Sequence, residues 1–348
     1  MSLEIFSRVP LLDGPTPIQR LAGLERSLGA AAGGVRIFVK RDDVMGIGGG
    51  GNKLRKLEFL LGEAVAKGCD TFVTVGGVQS NHARLSAASA ARMGLACELV
   101  LADVVARGDI EYRRNGNVLL DGIFGATVHY VAGSSDPLEF ARKRAAELEG
   151  LGRRAYVVGS GGSSPVGCLG YAACAQEIAQ QETELGETFA RIVIPNGSSG
   201  THAGLAAGFA AMGRDPKQVR SFAVLREAGD ARNVTLDEAR ATLALLDADA
   251  SLSEDAIDVS NDQRGAGYGI PTQAGLDAIR TLARTEGLLI DPVYGGKAFA
   301  GVLADIRAGV YRPGDAVLFI MTGGVPGLFA YRPALDQQKD GEFPFANR

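Results

Sequence analysis

The sequence predicts an α/β fold with two doubly wound parallel-sheet domains, and two observations support this class. Short runs rich in β-branched residues alternate with stretches of helical periodicity; the runs lie at residues 36–40, 71–75, 97–101, 127–131, 155–158, 191–194, 219–224 and 316–321. Strands that alternate with helices in this way form parallel sheets covered on both faces. The chain also holds 48 glycines, about twice the ordinary share. Most of their clusters directly follow a predicted strand, where doubly wound sheets open their ligand crevice.

The stretches between the strands predict the helices that cover the sheets. Residues 54–67 place several leucines on one stripe, and Gly68 closes this helix. Further helices are expected over residues 82–93, 136–149, 167–181, 201–212, 272–286 and 296–307. Residues 247–262 are acidic and only weakly periodic, so we expect an exposed excursion there.

The charge and composition exclude several classes of partner. The 348 residues include 36 Lys and Arg against 40 Asp and Glu, so no basic surface is expected that would attract nucleic acid or anionic lipid. No apolar run approaches the roughly 18 residues that span a bilayer, and the start of the chain lacks the pattern of a signal peptide. We therefore expect a cytoplasmic protein with no nucleic-acid or membrane partner.

Cysteine and histidine are too few and too scattered to predict a metal site. The four cysteines are expected to be small buried hydrophobic residues in a reducing compartment. None of the three histidines stands at a ligand-like spacing from another or from a cysteine pair. No metal is therefore expected.

The first glycine cluster, KRDDVMGIGGGGNKLRKLE, leads into a helix at Lys53. It contains G-x-G-x-x-G, but the acidic residue that ends the second strand of a dinucleotide-binding unit is missing. The P-loop pattern also fails, because Asn52 separates Gly51 from Lys53 and Leu54 stands where Ser or Thr would bind magnesium. Neither a dinucleotide nor a nucleoside triphosphate is expected.

Lys53 stands at the first turn of an amphipathic helix, after a loop with almost no side chains. The partial positive charge at a helix start favours the neutral amine, which is the form that attacks aldehydes. A flat aromatic ligand could lie close to such a loop. Most lysines are solvated surface residues, and Lys40, Lys56 and Lys297 compete for the same role.

Four polar residues follow the second strand in VTVGGVQSNHAR: Gln79, Ser80, Asn81 and His82. A strand-to-helix turn of this kind offers free backbone N–H groups together with hydroxyl and amide donors, which suits a carboxylate. Ordinary N-capping by itself explains Ser80 or Asn81. Four polar residues in succession are more than a cap requires.

The segment RIVIPNGSSGTHAGLAAG carries the strongest physical signal in the chain. Its small-residue loop stands between a buried strand and a helix of mostly alanine and glycine, and such a loop binds phosphate through N–H groups, hydroxyls and the helix dipole. No G-x-S-x-G elbow is present, which argues against a hydrolase nucleophile. The loop residues are Asn196, Gly197, Ser198, Ser199, Gly200 and Thr201.

Three further candidates lie late in the chain: Tyr268 in AGYGIP, Tyr294 in DPVYGGK and Thr322 in FIMTGGVPG. A tyrosine more often packs than reacts. Two tyrosines in Gly- and Pro-rich loops are nevertheless placed where their phenols can reach a crevice.

Together these motifs resemble the D-cysteine desulfhydrase and 1-aminocyclopropane-1-carboxylate (ACC) deaminase family of pyridoxal-5′-phosphate (PLP) enzymes. The similar segments are VKRDDV, GGNKLRKLE, VQSNHAR, NGSSGTHAGL, GYGIP, DPVYGGKA and TGGVPGLFAY, in the family's order. The resemblance implies the fold-type II architecture of tryptophan synthase β and a homodimer of two-domain subunits. We accordingly expect a large PLP-binding domain of residues 1–56 and 166–348, with a smaller α/β domain inserted at residues 57–165.

The resemblance also implies roles for single residues. The family's Schiff-base lysine corresponds to Lys53. Ser80 and Asn81 are implied to contact the substrate carboxylate and the cofactor hydroxyl. Gln79 and His82 belong to the same predicted substrate site. Two tyrosines are placed beside the substrate, a threonine at the pyridine nitrogen and a small-residue loop on the phosphate. These residues are Tyr268 and Tyr294, Thr322, and Gly197, Ser198, Ser199, Gly200 and Thr201. Lys53, Ser80, Tyr268 and Tyr294 are the implied catalytic residues.

One departure from the family pattern affects the expected substrate. Gly295 follows Tyr294, whereas ACC deaminases carry Glu there and D-cysteine desulfhydrases usually Thr. A carboxylate beside the ring would help to keep the pyridine protonated, which cyclopropane opening needs, while Thr322 offers only a neutral hydrogen bond. We therefore expect β-elimination from a small amino acid, most of all D-cysteine, and not ACC deamination.

The leaving group stays open at this point. Thiol from D-cysteine, chloride from 3-chloro-D-alanine and sulfite from L-cysteate all suit the chemistry. Arg55, Arg84 and Arg113 could assist a sulfonate, although each is expected to be a solvated helix-face charge. A PLP-binding or PLP-homeostasis protein without turnover, and a phosphate-ligand-binding α/β protein without PLP, are the alternatives from other classes.

Overall fold

The computed structural model describes residues 2–336 and arranges ten strands among them in two sheets. The strands are β1 (Ile18–Arg20), β2 (Arg36–Lys40), β3 (Thr71–Gly77), β4 (Ala96–Asp103), β5 (Thr127–Ala132), β6 (Ala155–Val158), β7 (Phe189–Asn196), β8 (Val219–Ala223), β9 (Asp258–Ser260) and β10 (Ala316–Ile320). One sheet has the order β1-β2-β10-β7-β8-β9 and the other β5-β4-β3-β6. Every pair is parallel except β1 with β2.

The α/β class is confirmed, and each of the eight predicted strands coincides with an observed one. Apolar side chains fill both faces of the central strands, as a sheet covered on both sides requires. The four-stranded sheet lies within residues 71–158, and the larger sheet takes strands from before and after it. The domain boundaries at residues 57 and 165 stay a prediction.

Thirteen α-helices cover the sheets within the described part of the chain. They are α1 (Ala22–Leu28), α2 (Lys53–Ala66), α3 (Asn81–Met93), α4 (Ile110–Arg114), α5 (Asn117–Ile123), α6 (Pro137–Gly150), α7 (Pro165–Leu185), α8 (Gly200–Ala211), α9 (Ala228–Leu245), α10 (Gln273–Glu286), α11 (Gly295–Arg307), α12 (Pro326–Ala330) and α13 (Arg332–Leu335). All seven predicted helices are present, with ends displaced by a few residues. Over the same residues, no helix has the length and apolar character needed to cross a bilayer.

The expectation of an exposed excursion at residues 247–262 holds only in part, because half of these residues are exposed and four are buried. This segment contains β9 and buries Leu252, Ala256, Ile257 and Val259 against alanines of α8 and α9. Helix α9 itself has no strong apolar stripe, because alanines and threonines accompany just two leucines, Leu236 and Leu243, on its buried face. The segment is therefore exposed along its acidic residues and anchored to the core by a few apolar ones.

A buried ion-pair network joins α2 to the end of β2 and to α7. Arg55 donates to both carboxylate oxygens of Asp42, at 2.9 and 3.0 Å, and to Glu177 on α7. Lys40 at the end of β2 also pairs with Glu177. Arg55 is thus a structural residue, and the expectation that it is a solvated charge is wrong. Gly170 allows helices α2 and α7 to approach closely, since any side chain there would clash with the Arg55 carbonyl.

We expect Asp42→Asn to destabilise the protein by about 3–5 kcal/mol, because it leaves the Arg55 guanidinium buried without its main counter-charge. Burial alone would raise the pKa of Asp42, but the charge and hydrogen bonds of Arg55 outweigh it and hold that pKa below its usual value. The contribution of this carboxylate is therefore present above about pH 4. It is lost as the pH falls through the lowered pKa.

Urea denaturation at pH 7 measures this effect, and Glu139→Gln, which removes an exposed ion pair with Lys143, is the control. The control is expected to leave the midpoint almost unchanged, because exposed ion pairs contribute little. Equal midpoints for Asp42→Asn and the wild type would contradict a stabilising role for the network.

Candidate active site

A cavity of about 360 Å³ lies where the carboxyl ends of β3, β7 and β10 meet the starts of α2, α3 and α8. This is the position at which parallel sheets open a ligand crevice. Eleven of the predicted site residues line it together. They are Lys53, Ser80, Asn81, His82, Gly197, Ser198, Ser199, Thr201, Tyr268, Tyr294 and Thr322.

Lys53 is the first residue of α2, and a glycine strap brings it to the cavity. Gly50 has a φ of 74° and its Cα hydrogen faces the Asp43 carbonyl so closely that any side chain would clash. Burial lowers the pKa of Lys53 well below its ordinary value, and the neighbouring charge of Lys56 lowers it further. The Lys53 amine is therefore readily neutral and nucleophilic.

The three competing lysines do not line the cavity. Lys40 pairs with Glu177, and Lys297 donates to the carbonyls of Arg264 and Gly267. Lys56 lies beside the cavity wall without entering the lining. Among the described lysines, Lys53 alone belongs to the cavity lining.

The start of α8 forms a cradle of hydroxyls and backbone N–H groups. Ser199 precedes the helix with a φ of 73°, a conformation that is rare outside glycine and is concentrated at ligand-binding sites. Ser163 Oγ donates to Ser198 Oγ at 2.9 Å and accepts from the Gly200 N–H at 3.2 Å. Gly200 itself does not line the cavity, and its N–H group belongs to the cradle through Ser163.

Lys56 is a functional candidate, although the sequence indicated it only as an alternative to Lys53 for the reactive lysine. It is fully buried, and its Nζ donates to the Gly161 carbonyl at 3.1 Å and to Ser163 Oγ at 3.2 Å. A Cβ at Gly200 would lie 2.7 Å from this amine. No carboxylate of residues 2–336 pairs with it. The cradle therefore holds a cation without a counter-ion.

A positional signal for Lys56 was present in the sequence. Lys56 is three residues after Lys53, and residues at this spacing lie on the same helix face. Burial lowers the pKa of Lys56 to about 8, so it is still mostly protonated at neutral pH. A protonated amine of this kind suits a doubly charged phosphate.

The turn after β3 presents Ser80 and Asn81 to the cavity. Ser80 Oγ accepts from the Ala83 N–H at 3.2 Å, so it is the N-cap of α3 as well as a lining residue. The carbonyl oxygen of Asn81 accepts from Asn117 Nδ2 at 3.0 Å and from Arg84 Nη1 at 3.4 Å. The amide NH2 of Asn81 is left as the donor on the cavity side.

The structure does not bring Gln79 to the substrate side of this turn. Its Nε2 donates to the carbonyls of Tyr112 and Asn115, and its Oε1 accepts from the Asn117 N–H. Both ends of the amide are therefore engaged away from the cavity. The prediction that Gln79 binds substrate is replaced by a structural role in tying the turn to α4 and α5.

Arg84 is fully buried, and the expectation of a solvated charge is wrong here too. Its guanidinium donates to the Gly50 carbonyl at 2.7 Å and to Asn117 Oδ1 at 2.9 Å. It thereby links the glycine strap before Lys53 to the turn that carries Asn81. Arg113, by contrast, is part-exposed and pairs with Asp103, in line with expectation.

His82 is buried in the cavity wall as a neutral imidazole. Thr74 Oγ1 donates to the Val158 carbonyl at 3.0 Å and therefore accepts from His82 Nε2 at 2.9 Å. The remaining ring nitrogen, Nδ1, is then an acceptor, and it is buried without a partner. Burial lowers the pKa of His82 well below its ordinary value, and the charges of Lys53 and Lys56 lower it further.

The phenols of Tyr268 and Tyr294 meet in the cavity, with 2.8 Å between their oxygens. Burial raises the pKa of both, that of Tyr294 well above its ordinary value. Both therefore keep their protons at neutral pH; one O–H donates to the other phenol, and the second O–H is available to a ligand. Neither is a base under these conditions.

Gly295 lies behind the cavity wall, at the start of α11. Its N–H donates to Asp291 Oδ1 at 2.8 Å, and an added Cβ would lie 3.0 Å from Ile290 Cβ. A larger residue at position 295 therefore requires a local rearrangement. Thr322, which follows β10, lines the cavity directly.

A sequence profile described as "Pyridoxal-phosphate dependent enzyme" matches residues 9–323. The chain belongs to the pyridoxal-phosphate-dependent enzyme family. The cavity of this PLP-dependent enzyme fits the cofactor, because a nucleophilic amine faces a cradle that holds an unpaired cation. A side chain at Gly161 would fill the space beside Ser198 Oγ, so the cradle depends on that glycine.

Two relatives of this PLP-dependent enzyme carry the name D-cysteine desulfhydrase. D-cysteine desulfhydrase of Serratia proteamaculans (strain 568) is 41% identical over 95% of this chain and 98% of its own length. D-cysteine desulfhydrase of Klebsiella pneumoniae (strain 342) is 40% identical over 96% and 99%. A crystal structure of an ACC deaminase homologue, 36% identical, covers 96% of each chain with a TM-score of 0.83. These findings confirm the family resemblance and the fold-type II class.

O-ureido-L-serine synthase shares the fold at 21% identity, with a TM-score of 0.66 over 97% of this chain and 98% of its own. The fold is therefore common to enzymes of different names. The activity of this chain has to be argued from the residues of the cavity.

We expect Lys56→Met to weaken PLP binding by roughly 10- to 150-fold, because a charge-assisted hydrogen bond contributes about 1.5–3 kcal/mol. Fluorescence titration of the apoenzyme with PLP measures the dissociation constant. The same variant should raise the pKa of Lys53, because it removes the neighbouring positive charge.

Lys67→Met is the matched control, since Lys67 ends the same helix and is exposed. It is expected to bind PLP as the wild type does. Unchanged affinity in Lys56→Met would show that this amine does not face the phosphate.

Proposed function

We propose that this enzyme is a PLP-dependent β-elimination lyase that converts D-cysteine to pyruvate, hydrogen sulfide and ammonia. The observation that carries the proposal is the arrangement of the cavity: one amine, Lys53, faces two protonated phenols, Tyr268 and Tyr294, in a space of about 360 Å³. The name shared by its relatives supports the same activity.

PLP supplies an electron sink that makes the α-proton of a bound amino acid acidic. In the proposed site Lys53 carries the cofactor covalently, and Thr322 contacts the ring nitrogen. Lys56 and the start of α8, at Gly197, Ser198, Ser199, Gly200 and Thr201, would hold the phosphate. The NH2 group of Asn81 would donate to the ring hydroxyl.

The substrate carboxylate is proposed to lie at the turn after β3. Ser80 and Asn81 line the cavity there, next to backbone N–H groups at the start of α3. His82 offers only an acceptor, Nδ1, so it suits the substrate's donor groups and not its carboxylate. The turn thus favours one orientation of a small amino acid.

Proton handling follows from the pKa values of the three groups. The lowered pKa of Lys53 makes its amine, once freed, the base that removes the α-proton. The raised pKa values of Tyr268 and Tyr294 keep both phenols protonated. We assign to them the hydrogen bonds that assist the departing sulfur.

The charges in the cavity distinguish between the possible leaving groups. Among the residues described, Lys53 is the one lysine or arginine in the lining, and it is the residue that would carry the cofactor. Arg55 pairs with Asp42, and Arg113 pairs with Asp103. Arg84 donates to amide and carbonyl oxygens. A sulfonate in this cavity would lack a counter-charge, whereas a thiol needs none.

Other substrates and classes rank below D-cysteine. 3-Chloro-D-alanine carries an uncharged β-substituent and suits the cavity, whereas the sulfonate of L-cysteate does not. ACC deamination is disfavoured because the carboxylate expected beside the ring is absent at Gly295. A PLP-homeostasis role gives no use to the paired phenols of Tyr268 and Tyr294 in the cavity. A phosphate-binding protein without PLP does not agree with the family membership.

We further propose that the enzyme acts in the cytoplasm as a homodimer, on a small amino acid and without a nucleic-acid or membrane partner. The net charge of −4 and the resemblance to dimeric family members support this assignment. Size-exclusion chromatography with light scattering tests the dimer.

A substrate panel tests the leaving-group assignment. We expect D-cysteine to give pyruvate and sulfide with a kcat/KM at least about 100-fold above that of L-cysteate, because burying an unpaired charge costs several kcal/mol. ACC should give little or no 2-oxobutyrate. The panel includes L-cysteine, 3-chloroalanine of both hands and serine, with pyruvate measured by a coupled assay.

Efficient conversion of ACC would overturn the argument from Gly295, and efficient conversion of L-cysteate the argument from charge. A PLP-loaded enzyme that turns over no member of the panel would favour the homeostasis role.

Separate variants test the division of labour between Lys53 and Tyr294. We expect Lys53→Ala to abolish exchange of the substrate α-proton with solvent deuterium. Tyr294→Phe should slow pyruvate formation by about 100-fold or more, the usual contribution of a general acid, while exchange continues. NMR follows the α-proton and a coupled assay follows pyruvate.

Tyr311→Phe is the control, because this buried phenol contacts Asp305 and does not line the cavity. It is expected to match the wild type in both readouts. Loss of exchange in Tyr294→Phe together with retained exchange in Lys53→Ala would reverse the two roles.

A further inference from the structure

Lys297 is a fully buried lysine on α11, three residues after Tyr294. Its Nζ donates to the carbonyls of Arg264, at 2.7 Å, and Gly267, at 2.9 Å. Gly267 directly precedes Tyr268. The amine therefore holds the backbone of the segment 264–269, which we call the tyrosine loop.

The environment of Lys297 is unusual for a buried charge. Within residues 2–336 no carboxylate forms an ion pair with it, and both of its partners are backbone carbonyls. Burial lowers its pKa to about 8. Burying an ammonium group without a counter-ion is costly, and an apolar side chain of the same length would fill the space. The hydrogen bonds to the loop are what distinguishes lysine here.

The tyrosine loop crosses from the larger sheet towards the smaller one. The Tyr331 hydroxyl donates to the Gly269 carbonyl at 2.9 Å, and a Cβ at Gly77 of β3 would lie 3.6 Å from the Tyr268 ring. Tyr268 thus lies in a loop with few regular backbone contacts. Its hydrogen bond to Tyr294 depends on where the loop is held.

We propose that Lys297 is a positioning residue that sets the Tyr268 phenol against the Tyr294 phenol. Helix α11 then places both phenols. Tyr294 directly precedes the helix, and the Lys297 amine within the helix holds the loop that carries Tyr268. Lys297 does not line the cavity, so it acts through Tyr268 and touches neither substrate nor cofactor. The inference rests on the proposed function for its catalytic consequence, but the geometry can be tested separately.

A double-mutant cycle tests the catalytic consequence. Lys297→Met, Tyr268→Phe and the double variant are compared by kcat and KM for pyruvate formation from D-cysteine. If Lys297 acts through Tyr268, each single variant lowers kcat by about tenfold or more and the double variant is no slower than Tyr268→Phe. The PLP dissociation constant should stay that of the wild type.

Lys40→Met provides the matched control, because Lys40 is also fully buried but contacts Glu177, Gln181 and the Thr16 carbonyl. Its effect should multiply with that of Tyr268→Phe. Multiplicative effects of Lys297→Met and Tyr268→Phe would overturn the proposal. If Lys297→Met does not fold, Lys297→Arg, which displaces the charged donors, enters the same cycle with the same criterion.

A spectroscopic measurement separates failure of this inference from failure of the proposed function. Fluorine NMR of PLP-loaded enzyme containing 3-fluorotyrosine gives resonances that single Tyr→Phe variants assign to positions 268 and 294. Lys297→Met should shift both resonances, and Lys40→Met neither. Unshifted resonances would refute the positioning role whatever the substrate is, whereas shifted resonances without D-cysteine turnover would refute only the activity.

Discussion

The amines of Lys53 and Lys56 lie on one turn at the start of α2, and protein encloses both. Two ammonium groups in this position repel each other and the positive end of the helix dipole. The repulsion is relieved when one amine is neutral and the other faces an anion, and a ligand with an aldehyde and a phosphate meets both conditions. The glycine strap, the start of α8 and the turn after β3 are arranged around this pair.

The same helix carries a third buried cation that is treated in the opposite way. Arg55 points towards α7 and is neutralised by Asp42 and Glu177, whereas no described carboxylate pairs with Lys56. The positive charge on one side of α2 is thus neutralised within the chain, and the positive charge on the other side is neutralised by the cofactor. A buried network of this kind fixes the helix in place, so the two amines are presented at constant positions.

Most of the architecture and much of the cavity follow from local patterns. Lys53 and the loop before α8 were predictable because glycines, small residues and a helix start stand next to each other in the chain. The burial of Arg55 was not, because its partner Glu177 is 122 residues away. Gln79 shows the same limit: its sequence neighbours are site residues, but contacts with the segment 112–117 turn its amide away. Helix α9 was missed because alanine packing leaves little periodic signal.

The presence of Lys53 as the one lysine or arginine of the described cavity lining also determines which amino acids are excluded as substrates. Aspartate and glutamate, abundant in cells, each bring a second carboxylate, and once Lys53 holds the cofactor the described lining offers that group no positive partner. Their exclusion needs no steric gate, since transfer of an unpaired anion from water is itself the barrier. A cavity built in this way selects neutral amino acids over acidic ones by charge.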